Sequence, residues 1–447
     1  MKIKHIYKFL LVGLVAVIMG ACTSTEADPK FDESPIERLN ARKKELNDLL
    51  LSSADGWKAV YYTDSTQLGA WTHLFKFLPD GKVDMASDFD DDTDIHRSQY
   101  DIQLGSAVSL VFTTANRIHL LSESDNYPTP ALVGKGHLGD FQFFYYGQEN
   151  GEIIFRTNRS FQELRFKKAT AKDWDDLHDN TPVIEAITGE ITSPLFRLLE
   201  INDGAAVQNY DLDYNPDARF GVAASLVPGS NDLINMSFAF TPAGAVVEPP
   251  VEVKGQKLTN FSYNSTDDTF VSTGTGGVKA TIKYTTVPPV ITDDYKKGID
   301  GQPQFVISYI AANLYSAPTT SNYFRSLILK ANAALPANQS IARIQIYFNS
   351  AFGNYIEYRF NGGRPSVYHN FTTTPNNTAK TLVFNHDSWD NGSAIIPAPA
   401  FLKDLDAEFF TPAGMYIKKE NFTISFINTI YTMTSASSSF RTTTYQL

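Results

Sequence analysis

The chain has 447 residues and carries 49 acidic against 38 basic side chains, a formal net charge of −11 at pH 7. That balance argues against nucleic acid as a partner and against polybasic attachment to anionic lipid, since both need a basic face. A single cysteine leaves no intramolecular disulfide, so the body must be held by its hydrophobic core, and the 31 Phe and 22 Tyr suit β-strands.

The N-terminus reads as an export signal. Lys2, Lys4 and Lys8 make a positive segment, residues 9–19 form an apolar run broken by Gly13, and Met19-Gly20-Ala21-Cys22 puts small residues before a cysteine. This is the arrangement of a lipoprotein signal. It predicts removal of residues 1–21 and acylation of Cys22, with the mature chain tethered to a membrane by lipid. Each buried methylene of such a lipid contributes about 0.8 kcal/mol. The apolar run falls short of the ~20 residues that a spanning helix needs. An ordinary secretory signal with an incidental cysteine is the alternative.

Residues 22–32 read as a polar, acidic tether. Ser34-Pro35-Ile36-Glu37 is a capping box with proline at the first helical position. Ile36, Leu39, Leu46, Leu49 and Leu50 then recur at helical spacing, and Asp55-Gly56 makes a turn after the expected end near Ser52. Strands are expected at 57–63, 73–77, 82–86, 100–104, 108–113, 117–121, 141–146, 153–157 and 161–167. Hairpin turns fall at Leu78-Pro79-Asp80-Gly81 and Gln148-Glu149-Asn150-Gly151. A helix followed by such a series predicts a lipocalin-like up-and-down barrel or a curved sheet over 33–168.

Residues 169–185, with Trp174-Asp175-Asp176 and Pro182, read as a linker. A second β module is expected over 186–289, with strands at 220–226, 234–240, 246–247, 258–263, 269–272 and 280–284. A C-terminal β-rich module occupies 290–447, with strands at 305–310, 341–348, 355–360, 382–385 and 422–433 and a helix at 323–335. The fold class is therefore mainly β: tandem antiparallel barrel or curved-sheet (lipocalin-like) modules behind a short N-terminal helix. The skeleton Phe-x-Pro-x-Gly recurs at 77–81, 240–244 and 410–414. It marks either three related modules or simply a good hairpin tip.

A likeness now has residues to rest on. The cysteine is followed by Phe31-Asp32-Glu33-Ser34-Pro35 and a helix. Then come Gly56-Trp57-Lys58-Ala59 with Tyr61-Tyr62, Phe75-Lys76-Phe77 with Asp80-Gly81, and Met85-Ala86-Ser87-Asp88-Phe89. This succession resembles an uncharacterised family of Bacteroidetes outer-membrane lipoproteins, domain of unknown function 4302. The likeness is strong over about 30–170. It is weaker over 215–275, through Phe240-Thr241-Pro242 and Glu248-Pro249-Pro250-Val251, and thin after 290. It implies a cell-envelope lipoprotein acting beside outer-membrane nutrient transporters. The family has no established catalytic or binding residues to carry over.

Motifs for chemistry are sparse. The eight histidines include no His-Glu-x-x-His and no His-x-His, and the chain has no Gly-x-Ser-x-Gly elbow and no phosphate-cradling glycine loop. With Cys22 as the anchor, thiol catalysis is excluded. The paired carboxylates of a glycoside hydrolase cannot be chosen from so many acids. Asp90, Asp92 and Asp94 alternate as calcium ligands do, but Ile95 stands where an EF-hand needs Gly and Asp101 where it needs Glu. An irregular calcium loop and a solvated acidic loop both remain open, and no other cofactor is expected.

Trp71, in Gly69-Ala70-Trp71-Thr72, and Trp389, in His386-Asp387-Ser388-Trp389-Asp390-Asn391-Gly392, read as loop tryptophans. Either they stack on a sugar while Asp387 and Asn391 bond its hydroxyls, or they fold back onto a barrel end. The expected function is non-catalytic capture of a glycan or peptide at the outer membrane. A structural or assembly partner of an outer-membrane transporter complex is the alternative, and a glycoside hydrolase comes third.

Overall fold

The computed structural model describes residues 34–447, so the expected signal segment (1–21), Cys22 and the expected tether lie outside the described residues. The capping box starts α1 (Pro35–Leu51) as expected: Ser34 N donates to Glu37 Oε2 at 2.8 Å and Glu37 N donates to Ser34 Oγ at 3.3 Å. Leu46 and Leu50 of its inner face are buried in the core of the first barrel.

Period-two alternation builds that barrel. In β1 (Trp57–Tyr62), Trp57, Ala59 and Tyr61 point inward and Lys58, Val60 and Tyr62 outward. β2 (Ala70–Phe77), β3 (Lys82–Ser87), β4 (His96–Leu104), β5 (Val108–Phe112), β6 (Gln142–Glu149), β7 (Glu152–Thr157) and β8 (Glu163–Lys168) follow, and β8 closes on β1.

Two short helices, α2 (Ala171–Asp175) and α3 (Asn180–Thr188), lead to the second barrel. Its strands are β9 (Phe196–Asp203), β10 (Val207–Asn215), β11 (Phe220–Ser225), β12 (Leu233–Thr241), β13 (Gly244–Val253), β14 (Gln256–Asn264), β15 (Thr269–Thr273) and β16 (Val278–Thr285). The third barrel opens with β17 (Phe305–Ile310), α4 (Ala311–Leu314) and α5 (Asn322–Ala333). It continues with β18 (Ile341–Ser350), β19 (Gly353–Phe360), β20 (Val367–Asn376) and β21 (Thr381–Asp390). After α6 (Lys403–Ala407), it ends with β22 (Met415–Lys419), β23 (Ile430–Ser435) and β24 (Arg441–Gln446), which pairs with β17. All three barrels are closed, antiparallel and eight-stranded, each strand pairing with its neighbours in sequence.

Eight strands enclose a lumen just wide enough for side chains to fill. In the first barrel Phe75 stacks on Phe112 at 5.3 Å and on Phe166 at 4.7 Å. Tyr214 meets Phe238 edge-on in the second, and Phe371 stacks on Phe384 in the third. Each such buried ring contributes about 1.5–3 kcal/mol. With the lumens filled, room for a ligand falls to outer walls and to clefts between barrels.

The barrels are in contact. Gly69 N donates to Ala218 O at 2.8 Å and Ser237 Oγ donates to Leu68 O at 2.6 Å, joining the first barrel to the second. Between the second and third, Thr286 Oγ1 donates to Ala436 O at 2.9 Å and Ser439 Oγ to Ile191 O at 3.1 Å.

Three local expectations are corrected, the joining segment gains detail, and the two open readings of the repeated skeleton are decided. Residues 117–121 form a 3-10 turn instead of a strand; Asn116 caps it, and Arg117 turns toward Asp90. The segment expected as a linker is packed: Leu177 sits against Leu74 and Ala86, while Val183 and Ile187 enter the core of the second barrel. Strands β9 and β10 were not anticipated, because their outward positions carry Asp, Asn and Glu, residues with poor strand propensity. The strand expected at 422–433 is confined to Ile430–Ser435. The Phe-x-Pro-x-Gly skeletons lie between the second and third strands of the first barrel, between the fourth and fifth of the second, and ahead of the sixth of the third. They are turn chemistry at non-equivalent places.

Candidate ligand-binding groove on the third barrel

The outer wall of the third barrel presents aromatic and polar residues that alternate with the core. Inward Ile356 and Tyr358 of β19 leave Tyr355 and Glu357 on the other face; inward Val367 and His369 of β20 leave Tyr368 and Asn370 there. Register aligns Tyr347 with Tyr355, Tyr355 with Asn370, and Tyr368 with Asp390. Tyr347 and Tyr355 stack at 4.4 Å, and Tyr368 meets Tyr355 edge-on at 5.9 Å. Burial, aided by the neighbouring Tyr347 and Glu357, pushes the Tyr355 phenol up to about 12, so it stays a neutral donor through the physiological range.

A groove of about 830 Å³ runs beside these rings, lined by Phe352, Tyr355, Tyr368, Asn370, Asp387 and Asp390 among others. Phe352, at the tip between β18 and β19, is 88 % exposed. Asn370 Nδ2 donates to Asp390 Oδ2 at 2.7 Å, and Gly392 N donates to Asp390 Oδ1 at 2.7 Å. A register shift between Asn370 and Phe371 lets β21 accommodate an extra residue, and exposed Asp387 lies in that bulge. The combination offers rings to stack on an apolar face and carboxylates and an amide to bond hydroxyls.

Beside the groove a buried polar chain reaches the surface. Tyr358 OH donates to Asp406 Oδ1 at 2.7 Å, His369 Nδ1 lies 2.9 Å from the same oxygen, and His369 Nε2 lies 2.7 Å from His386 Nδ1. The three contacts link Tyr358, Asp406, His369 and His386 in one continuous chain. The chain ends at the exposed His386 ring, one residue from Asp387. These two histidines come from adjacent strands and have no motif spacing.

A family model described as Domain of unknown function (DUF4302) matches residues 27–265. The chain belongs to this family. No curated protein and no solved structure matches it. The DUF4302 match takes in the first barrel and the second through β14, so the groove lies beyond it.

The sequence-predicted residues separate. Asp387 lines the groove. Asn391 does not: its Oδ1 accepts from Ser393 N at 3.1 Å and Ala394 N at 2.9 Å, which commits it to a turn. Trp389 is in strand β21 and not in a loop; it is buried, stacked on His369 at 4.3 Å and on Tyr358 at 5.8 Å. Trp71 is likewise in strand β2 and buried, edge-on to His137 at 5.0 Å. It lies at the back of a cleft of about 270 Å³ between the first two barrels, with Phe89, Asp90, Glu185 and Arg219, inside the DUF4302 region. Neither indole offers a face to a sugar.

Asp90, Asp92 and Asp94 do not converge. Arg117 Nη2 donates to Asp90, Arg117 Nη1 lies 3.6 Å from Asp92, and His96 Nε2 lies 2.9 Å from Asp92. A guanidinium stands against the carboxylates. Among the described residues no group of three or more His, Cys, Asp and Glu side chains is placed to hold a metal ion. Sequence reading missed Phe352, Tyr355, Tyr368 and Asn370. The signal that points to Tyr355 and Tyr368 is an aromatic at the outward phase of a strand whose inward phase is already apolar; Phe352 and Asn370 carry no such signal.

Proposed function

We propose that this DUF4302 protein is a lipid-anchored envelope protein that captures a glycan next to an outer-membrane transporter, without catalysing its cleavage. The groove on the third barrel carries this reading: Tyr355, Tyr368 and exposed Phe352 supply stacking surface, while Asn370, Asp387 and Asp390 supply hydroxyl partners. Acylation at Cys22 would confine the barrels to the membrane plane and raise the ligand's effective concentration there. Binding of a glycan array by the full chain in detergent tests it. Tyr368→Ala and Asp387→Ala are expected to lower affinity for any glycan retained by at least about tenfold. Absence of any retained glycan, or unchanged affinity in both variants, would refute the reading.

One observation favours an assembly role beside capture. Ile427, between β22 and β23, is 97 % exposed, and Phe426 next to it is half-exposed, an apolar tip suited to a protein partner. Co-purification with a transporter, lost on Ile427→Ser while glycan binding persists, would support it.

A further inference from the structure

A second cleft of about 420 Å³ lies between the second and third barrels, away from the groove. Its lining mixes two chemistries. Leu195, Phe196, Val290, Ile291 and Tyr416 are apolar; Asp211, Asp213, Glu420, Arg197, Lys418 and Arg441 bring charge of both signs. The guanidinium of Arg441 lies over the Phe196 ring, 5.5 Å from its centroid, which bridges the two barrels.

Two of these charged groups hold a buried atom with unused bonding capacity. Arg441 Nε and Glu420 Oε1 have no hydrogen-bond partner among the described residues. The Glu420 side chain is 5 % exposed, and its other oxygen, Oε2, accepts from Lys418 Nζ at 2.8 Å. Burial lowers the Arg441 pKa, against the pull of Glu420 and Asp211; burial, then repulsion from Asp213, raises that of Asp211. A buried donor and a buried acceptor left open in one cleft are costly to folding. A ligand carrying both an anionic and a cationic end satisfies both.

We propose that this cleft binds a short peptide with both termini free and an apolar side chain. Its carboxylate bonds Arg441, its ammonium bonds Glu420 and Asp211, and its side chain rests on Phe196 and the 288–291 segment. The volume falls within the range of ligand sites, about 300–1,000 Å³. The site is independent of the glycan reading, since the groove shares no lining residue with it.

Isothermal titration of the full chain in detergent with L-leucyl-L-leucine, its N-acetyl form and its C-terminal amide tests the proposal. The free dipeptide is expected to bind, and each blocked form to bind at least about tenfold more weakly, because each loses one charge-assisted contact. Arg441→Met and Glu420→Gln are expected to weaken the free dipeptide by a similar factor, with circular dichroism confirming the barrels. The comparison of blocked ligands on the unmodified chain stands even if a variant fails to fold. No heat with millimolar free dipeptide, or equal affinity for the free and blocked forms, would overturn it.

Discussion

Arg219 of the second barrel donates Nη1 to Asp88 of the first at 3.1 Å, with the two side chains only 4 % and 1 % exposed. The same carboxylate accepts from Thr72 N at 2.8 Å and from Asn180 Nδ2 at 2.9 Å, and Arg219 also reaches the Asp88 and Ala70 carbonyls. One buried ion pair therefore ties two barrels and the start of α3 to a single point.

Removing one partner of this pair leaves a buried charge uncompensated. Arg219→Met is expected to destabilise the protein by about 3–5 kcal/mol, read from urea unfolding. The double variant Arg219→Met with Asp88→Asn is expected to recover part of that loss. A loss under ~1 kcal/mol for the single variant would show that the pair does not hold the interface.

Gly69 is required for the same contact. A Cβ there would lie 2.5 Å from Phe238 O and from Arg219 Cβ, backbone and a locked side chain that cannot give way. Gly69→Ala is expected to separate the first two barrels. Limited proteolysis should then cut within residues 169–195 of the variant and leave the same segment of the parent intact, since Leu177, Val183 and Ile187 are packed there.

Acid should weaken the first barrel through His73. Its ring is fully buried with neither nitrogen bonded among the described residues. Burial, with repulsion from Arg117 and Arg219, drops its pKa from 6.5 to about 3. Between those values the unfolded chain takes up a proton that the folded chain refuses. The contribution is thus complete above 6.5 and falls by about 1.4 kcal/mol per pH unit as acidity increases toward 3. His73→Leu is expected to flatten this part of the stability–pH curve; an unchanged slope would sink the assignment.

Calcium sensitivity should depend on Arg117. While its guanidinium stands against Asp90 and Asp92, added calcium is expected to leave the melting temperature where it was. In Arg117→Met those carboxylates lose their cation, and calcium should raise the melting temperature measurably. A rise in the parent protein would place a cation at the loop after all.

Tryptophan substitutions should separate core from groove. Trp389→Phe and Trp71→Phe are expected to cost stability, by cavity formation, without changing affinity for a retained glycan. If Trp389→Phe abolished binding while the fold stayed intact, the groove would extend inside the wall.

Local order was legible because it depends on neighbours in the chain. The capping box at Ser34 to Glu37, the hairpin at Leu78 to Gly81 and the alternation in Trp57 to Tyr62 all follow from residues a few positions apart. So did the fold class and the presence of a helix around Asn322–Ala333. Strands rich in Asp and Asn escaped notice, because the closing of the second barrel overrides their weak propensity.

The sites depended on distance in sequence. His369 meets His386 and Asp406 only because a closed wall and α6 bring them together, and Tyr347, Tyr355 and Tyr368 share a surface only through register. Trp71 and Trp389 show the converse: small neighbours around the first and polar ones around the second suggest loops, but strand phase turns each ring inward. The sequence by itself determined a β-rich body and the turns between strands, since these are set by composition and by contacts within one hairpin. Only the tertiary structure decided which charges are buried together, as Asp88 with Arg219, because that requires surfaces from separate barrels to exclude water at the same place.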